Sequence, residues 1–332
     1  MFCVRNKSDR IRRRVGLQNP RLKVTVAEIV QETPVVKSFK LVGARGRLPR
    51  FSGGAHITTY FTVNAETMER HYSLVGNPQR DDYYTIAIRR SETSRGGSVH
   101  WHDQIRTGDE IEISYPKNHL PVSFEAKHHV FIAAGIGITP FMAMMSELAA
   151  SGKSFELHDA AASEAYCPFY EEIRKRYGER AKFYFSGKQQ RLPVAVMWKQ
   201  PIGTHVYFCG PEEMISQFRQ AAIHYGYPAS NIHYELFSPP NVGPSYPFQA
   251  VLAKSNVTLQ VPESKSLLEV MLEQGIAAAY SCKIGGCGSC EIEVEDGEVD
   301  HRDFFLSEQE KKTRKVMIPC ISRAKSPLII NL

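Results

Sequence analysis

Tyr280-Ser281-Cys282-Lys283-Ile284-Gly285-Gly286-Cys287-Gly288-Ser289-Cys290 is the stretch that says most about this chain, together with Cys320 further on. Its spacing, Cys-x4-Cys-x2-Cys with a remote fourth cysteine, suits a [2Fe–2S] cluster. Four thiolates give two irons a tetrahedral sulfur environment. The cluster is anionic, so its loop must turn backbone N–H groups toward sulfur. Gly285, Gly286 and Gly288 permit the tight, positive-φ turns this needs, and Ser281 and Ser289 offer hydroxyl donors that tune the potential. The alternative is a structural zinc site. Zinc motifs usually repeat closely spaced pairs, and one close pair, one x4 step and one remote cysteine fit that pattern poorly. With seven cysteines in all, an odd number clustered late in the chain, a disulfide framework is disfavoured.

Upstream of the loop, residues 248–253 and 257–261 read as strands, and a helix opens on the capping box Ser266-Leu267-Leu268-Glu269 and stops at Gly275. The loop, with Pro319-Cys320, resembles the ligand loop of plant-type ferredoxins. That resemblance implies a β-grasp domain over 248–332 with Cys282, Cys287, Cys290 and Cys320 as metal ligands. Glu291, Glu293, Glu295, Asp296, Glu298 and Asp300 follow the ligands; alternation puts Glu291, Glu293 and Glu295 on one face of a strand, either a docking surface for a partner or a solvated face. Residues 238–247 hold four prolines in ten and read as a linker.

Residues 127–237 have an α/β texture. The continuous apolar run 130–134 suits a strand buried on both faces, and further runs lie at 155–157, 182–185 and 205–209. Helical segments separate them, the last with Pro211 at its first position and ending near Gly226. This alternation predicts a parallel sheet. Between the first strand and a helix over 141–150 stands Gly135-Ile136-Gly137-Ile138-Thr139-Pro140. Gly135 and Gly137 would let a pyrophosphate approach backbone, Thr139 would donate to it, and Pro140 begins the helix. Asp159 lies roughly 20 residues past the turn, like the ribose-binding acid of dinucleotide folds. Residues 158–163 contain no Arg or Lys for a 2′-phosphate, so NADH is favoured; Lys188 or Arg191 keeps NADPH as the alternative.

Residues 21–126 alternate in period two, as in Leu22-Val24-Val26, Tyr84-Ile86-Ile88 and Ile111-Ile113-Tyr115, which predicts an antiparallel β-barrel. Arg70-His71-Tyr72-Ser73 resembles the Arg-x-Tyr-Ser signature of the ferredoxin–NADP reductase superfamily. Arg95-Gly96-Gly97-Ser98 is similar to the turn that grips the flavin phosphate there, with Ser98 expected to cap the following helix. The resemblance extends to the 135–140 turn, to Cys209-Gly210-Pro211 and to Tyr234-Glu235-Leu236-Phe237. It implies that Arg70, Gly96, Gly97 and Ser98 hold the phosphate while Tyr72 and Ser73 hold the isoalloxazine, Ser73 near N5. It further implies that Cys209 and Gly210 border the nicotinamide, Glu235 helps hold it, and Phe237 covers a ring face.

The order flavin, nucleotide, cluster resembles the phthalate dioxygenase reductase family, including reductases of vanillate demethylase and carnitine oxygenase type, over about residues 21–332. The fold expected is therefore multidomain: a β-barrel flavin domain (21–126), an α/β nucleotide domain (127–237), a linker (238–247) and a β-grasp ferredoxin domain (248–332). The family implies FMN, NADH and a [2Fe–2S] cluster, with electrons passing to a terminal Rieske-type oxygenase. A stand-alone flavin reductase or a zinc-binding interaction module are the alternatives. The net charge of +6 sits wholly in the basic extension 1–20 and Arg21, which argues against a nucleic-acid face on the domains. No signal peptide or long apolar run is present, so a cytoplasmic, monomeric protein without a membrane span is expected.

Overall fold

Alternating burial along the first strands shows how the N-terminal half is built. The structure is a computed structural model that describes residues 20–63, 66–91, 96–241 and 243–332; the basic extension up to residue 19, and Arg95, lie outside the described residues. Strands β1 (Arg21–Thr33), β2 (Val36–Gly43), β3 (Ala55–Val63), β4 (Glu66–Val75), β5 (Tyr83–Arg89), β6 (Glu110–Ser114) and β7 (Lys117–Asn118) form one antiparallel sheet. Its order is β4-β5-β2-β1-β6-β3-β7, and pairing of β3 with β4 closes it into a barrel. Val24, Val26, Tyr84, Ile86, Ile88, Ile111 and Ile113 are buried as their alternation requires. Tyr115, expected with them, lies past the end of β6 and is 44% exposed. The short helix Gly97–Asp103 sends Trp101 into the barrel core, edge-on to Phe39 at 4.8 Å between ring centroids.

Next come β8 (His128–Ala134), β9 (Phe155–Ala161), β10 (Ala181–Phe185), β11 (Thr204–Cys209) and β12 (Ile232–Glu235), all parallel in the order β10-β9-β8-β11-β12. The winding reverses between β8 and β11, and ligands of such sheets bind beyond the strands' carboxyl ends at that point. The helix expected over 141–150 begins at Thr139, and the one expected to have Pro211 at its first position runs Glu212–His224 with Pro211 as its N-cap. Barrel and parallel sheet form one compact unit ending at Glu235. Val75 and Ala87 of the barrel share a core with Ile138, Phe141 and Met142. Strand β4 packs on the Thr139–Ala150 helix, and β5 on the turn at 135–138.

The second unit, from Leu236 to Leu332, has its own core. Strands β13 (Phe248–Leu252), β14 (Val257–Val261), β15 (Ile292–Asp296), β16 (Val299–Asp300), β17 (Val316–Met317), β18 (Arg323–Ala324) and β19 (Leu328–Ile330) make a five-stranded mixed sheet, β14-β13-β19-β15-β17, and a small β16–β18 pair. Helix Leu267–Glu273 lays Leu267, Val270 and Met271 against that core, the expected β-grasp arrangement. The capping box forms in both directions: Glu269 N–H donates to Ser266 Oγ at 3.2 Å and Ser266 N–H to Glu269 Oε2 at 2.7 Å. The expected linker is partly docked. Tyr246 Oη donates to Asp300 at 2.6 Å, Arg302 to the Pro244 carbonyl at 2.9 Å and Arg323 to the Tyr246 carbonyl at 3.1 Å. No helix of the described residues is long and apolar enough to cross a membrane.

Candidate functional site

The four C-terminal cysteines converge two by two. Cys282 hydrogen-bonds with Cys287, and Cys290 with Cys320. Among the described residues no three His, Cys, Asp or Glu side chains gather as they would on one metal ion. Two pairs suit two irons sharing four thiolates; a tetrahedral zinc site needs a single group of four. Backbone donors face the sulfurs. Cys282 N–H donates to Cys287 Sγ at 3.5 Å, and the amides of Ile284 and Gly286 serve Cys282, that of Gly285 Cys320. Ser289 Oγ lies 3.3 Å from Cys287 Sγ. The hydrogen bond with Cys282, aided by Ser289 and amides, holds the Cys287 thiol well below its ordinary range. The same bond, then burial, pushes Cys282 up. Gly285 has φ +88°, and a Cβ there would lie 2.6 Å from Ile321 Cγ2. A Cβ on Gly286 would lie 2.5 Å from the Phe304 ring, and one on Gly288 would collide with Phe305. Sequence reasoning passed over Asp303, Phe304 and Phe305, because no spacing rule links them to the cysteines.

Arg70, Tyr72 and Ser73 lie on β4, and the Gly96 turn faces them. A Cβ on Gly97 would lie 2.5 Å from Arg70 Nε, so a side chain there would displace the guanidinium stem. Gly96, at φ 91°, is the N-cap of the Gly97–Asp103 helix. Arg70 thus stands beside first-turn amides, a combination suited to a phosphate. Ser98 is not the cap: it sits inside the first turn and its Oγ accepts the Ser91 N–H at 3.1 Å. Tyr72 packs edge-on to Trp101 at 5.8 Å between ring centroids, and burial pushes its phenol pKa up. Ser73 is buried, toward the end of β4.

At the switch point the two glycines serve different ends. Gly135 has φ +56° and open space where a Cβ would be. A Cβ on Gly137 would collide with the Cys209 carbonyl, so Gly137 lets the turn pack on β11. Cys209 pairs in register with Glu235. Burial, then Glu235, raises the Cys209 thiol. Burial pushes the Glu235 carboxyl up to about 7, and its Oε2 is buried without a hydrogen-bond partner. Gly210 packs against Ala134, Pro140 stands in the first turn of its helix, and Phe237, just past β12, is 47% exposed.

Two residues expected at the nucleotide are engaged within the protein. The Thr139 hydroxyl is buried and already donates to the Ile136 carbonyl at 2.9 Å, so its proton is committed within the turn. Asp159 does not reach a ribose: β9 continues to Ala161 instead of stopping at 157, which turns Asp159 into the core at 0% exposure. The Cys167 thiol donates to its Oδ2 at 3.4 Å, Oδ1 has no partner, and burial pushes the carboxyl up to about 7. Its repulsion of a 2′-phosphate therefore falls away. Lys188, one alternative cation, is paired with Glu164 at 2.9 Å.

The acidic face is also less charged than its sequence. Glu291 pairs with Arg314 at 2.5 Å, Glu298 with Lys325 at 2.7 Å and Asp300 with Arg302 at 2.7 Å. Glu291 precedes β15, and a bulge separates Val294 from Asp296. Glu293, Glu295 and Asp296 are exposed.

Residues 251–325 match the family model of the 2Fe-2S iron-sulfur cluster binding domain. The chain is 36% identical over 313 residues to the heme-dependent oxidative N-demethylase beta subunit of Ectopseudomonas mendocina, covering 94% of this chain and 99% of that relative. It is 32% identical over 321 residues to phthalate dioxygenase reductase of Burkholderia cepacia, covering 94% and 97%. The solved structure of phthalate dioxygenase reductase, described as a modular structure for electron transfer from pyridine nucleotides to [2Fe–2S], matches with a TM-score of 0.74 at 31% identity. That match covers 94% of this chain and 98% of the other. Nothing in these comparisons favours a stand-alone flavin reductase or a zinc module. With its three motif sets, its two folded units and relatives aligned over nearly their full length, the chain belongs to the phthalate dioxygenase reductase family.

Proposed function

We propose that the chain is the reductase component of an oxygenase system, passing electrons from NADH through FMN and a [2Fe–2S] cluster to a terminal oxygenase. The observation that carries this is the two-by-two cysteine arrangement under backbone donors. FMN, when bound, accepts two electrons as a hydride and releases them singly, which matches a cluster that takes one. Arg70 and the amides after Gly96 hold the phosphate, Tyr72 and Ser73 position the ring, and Ser73 faces N5. Gly135 leaves the turn open to a pyrophosphate. Cys209 and Glu235 border the nicotinamide, where the unpartnered Glu235 oxygen can take a carboxamide hydrogen. Phe237 covers a ring face.

Anaerobic titration with NADH tests this. Flavin bleaching should be followed by cluster bleaching and a reduced-cluster EPR signal; flavin bleaching alone would sink the proposal. With Asp159 buried, the preference for NADH rests only on the missing Arg and Lys at 158–163, and a higher kcat/KM for NADPH would reverse it. The proposed partner is a Rieske-type oxygenase, docked at the exposed Glu293 and Glu295. Likeness to the heme-dependent N-demethylase beta subunit supports a heme-dependent partner as a second reading. The visible spectrum of the protein that accepts the electrons separates the two. A monomeric, cytoplasmic component completes the proposal, checked by sedimentation and cell fractionation.

A further inference from the structure

Asp303 is 3% exposed and lies between the two segments that carry the cluster ligands. Its Oδ2 accepts the Leu306 N–H at 2.9 Å, while its Oδ1 lies 3.3 Å from Ser322 Oγ and 3.4 Å from His301 Nδ1. Ser322 follows Cys320 by two residues, and its own N–H donates to the Ile318 carbonyl at 3.0 Å, inside the turn that presents Cys320. On the other side, the Asp303 Cα lies 3.3 Å from where a Gly285 Cβ would stand, and the Phe304 N–H donates to the Gly285 carbonyl at 3.2 Å. One residue therefore touches both the Cys282–Cys290 loop and the Cys320 turn.

No Lys or Arg of the described residues pairs with this carboxylate. Arg302, its neighbour in sequence, is turned to Asp300 and the Pro244 carbonyl. Arg323 is spent on the carbonyls of Tyr246, Lys265 and Pro262. Its one ionisable partner is His301, a cation only when protonated, and the field of a carboxylate buried without Lys or Arg is weakly screened. One-electron reduction adds a negative charge to a cluster already held by four thiolates, and a fixed negative charge beside it opposes that addition.

We propose that Asp303 is a positioning residue that clamps the two ligand segments together and holds the cluster's reduction potential low, so that the reduced cluster remains a strong one-electron donor. The inference rests on the cluster reading above. A wild-type chain without a cluster spectrum would sink that reading first, whereas the outcomes below bear only on Asp303.

The test is a redox titration of the full chain followed by cluster absorbance and EPR. Asp303→Asn keeps an acceptor for Leu306 and removes the charge. It should retain the cluster and raise the reduced-to-oxidised ratio at fixed potential about tenfold, equivalent to about 59 mV for one electron. Ser322→Ala keeps the charge and loses the hydroxyl contacts to Asp303 and to the Arg302 N–H, and it should titrate close to wild type. A cluster in Asp303→Asn that titrates as wild type overturns the proposal. Should Asp303→Asn assemble no cluster, the exchange Asp303→Ser with Ser322→Asp is compared with Asp303→Ser with Ser322→Asn. The variant carrying the carboxylate should titrate lower. Equal potentials, or no cluster in either, would leave Asp303 a structural cap and overturn its electrostatic role.

Discussion

Arg70 and Asp159 lie at the two ends of what single residues disclose. Arg70 was singled out by its resemblance to the Arg-x-Tyr-Ser signature together with the 95–98 turn, and the structure sets it beside Gly97. Arg70→Ala should weaken FMN binding by on the order of 1.5–3 kcal/mol, the worth of a charge-assisted pair. Fluorescence titration of the apoprotein with FMN checks this, and unchanged affinity would remove Arg70 from the phosphate site. Asp159 was misread because Ala160, Ala161 and Ala162 give no sign of where β9 ends. Its carboxyl stands at about 7 in the folded chain against 3.8 as its ordinary value. Below about pH 4 both folded and unfolded states are protonated and the group costs nothing. Between about 4 and 7 the unfolded state ionises first, so stability falls as pH rises, by at most about 4 kcal/mol, and stays lower above 7. Asp159→Asn should flatten much of that slope in urea melts taken from pH 4 to 8, leaving the part due to Glu235. An unaltered slope would mean that Asp159 ionises normally.

Elements were legible in kind and less so at their ends. The strand–turn–helix around Gly135 and Gly137 follows from an apolar run, a glycine pair and a proline. The sequence could not say which glycine packs on protein and which stands in open space. Space decides it: a side chain at 137 meets the Cys209 backbone, whereas one at 135 meets nothing. Gly137→Ala should therefore cost about 1–3 kcal/mol or more by overpacking and should raise KM for NADH by displacing Cys209. Gly135→Ala carries only the left-handed backbone strain, about 1–2 kcal/mol. Thermal melts paired with NADH kinetics order the two, and a milder effect at 137 would contradict the packing described. The Ser266 capping box was legible in full because it is local. The second box, Ser307 with Glu310, went unread because no apolar periodicity follows it.

For the whole molecule, three segments were visible in sequence but their grouping into two units was not. Val75 and Ala87 look like ordinary strand residues, and only the folded chain shows them in one core with Ile138 and Phe141. The cysteine centre draws instead on residues of the second unit. Cys320→Ser should consequently abolish normal cluster assembly and electron delivery while NADH-dependent ferricyanide reduction at the flavin survives. Loss of both activities together would show that the first unit depends on the cluster. Pro244 and Tyr246, docked on Arg302 and Arg323, tie the entry into the second unit to the segment just past Cys320. The flavin motif and the cysteine motif are carried by one chain, so the transfer between them is intramolecular. Cluster reduction within the chain should therefore be first order, its stopped-flow rate unchanged on hundredfold dilution, while delivery to the separate oxygenase slows in proportion.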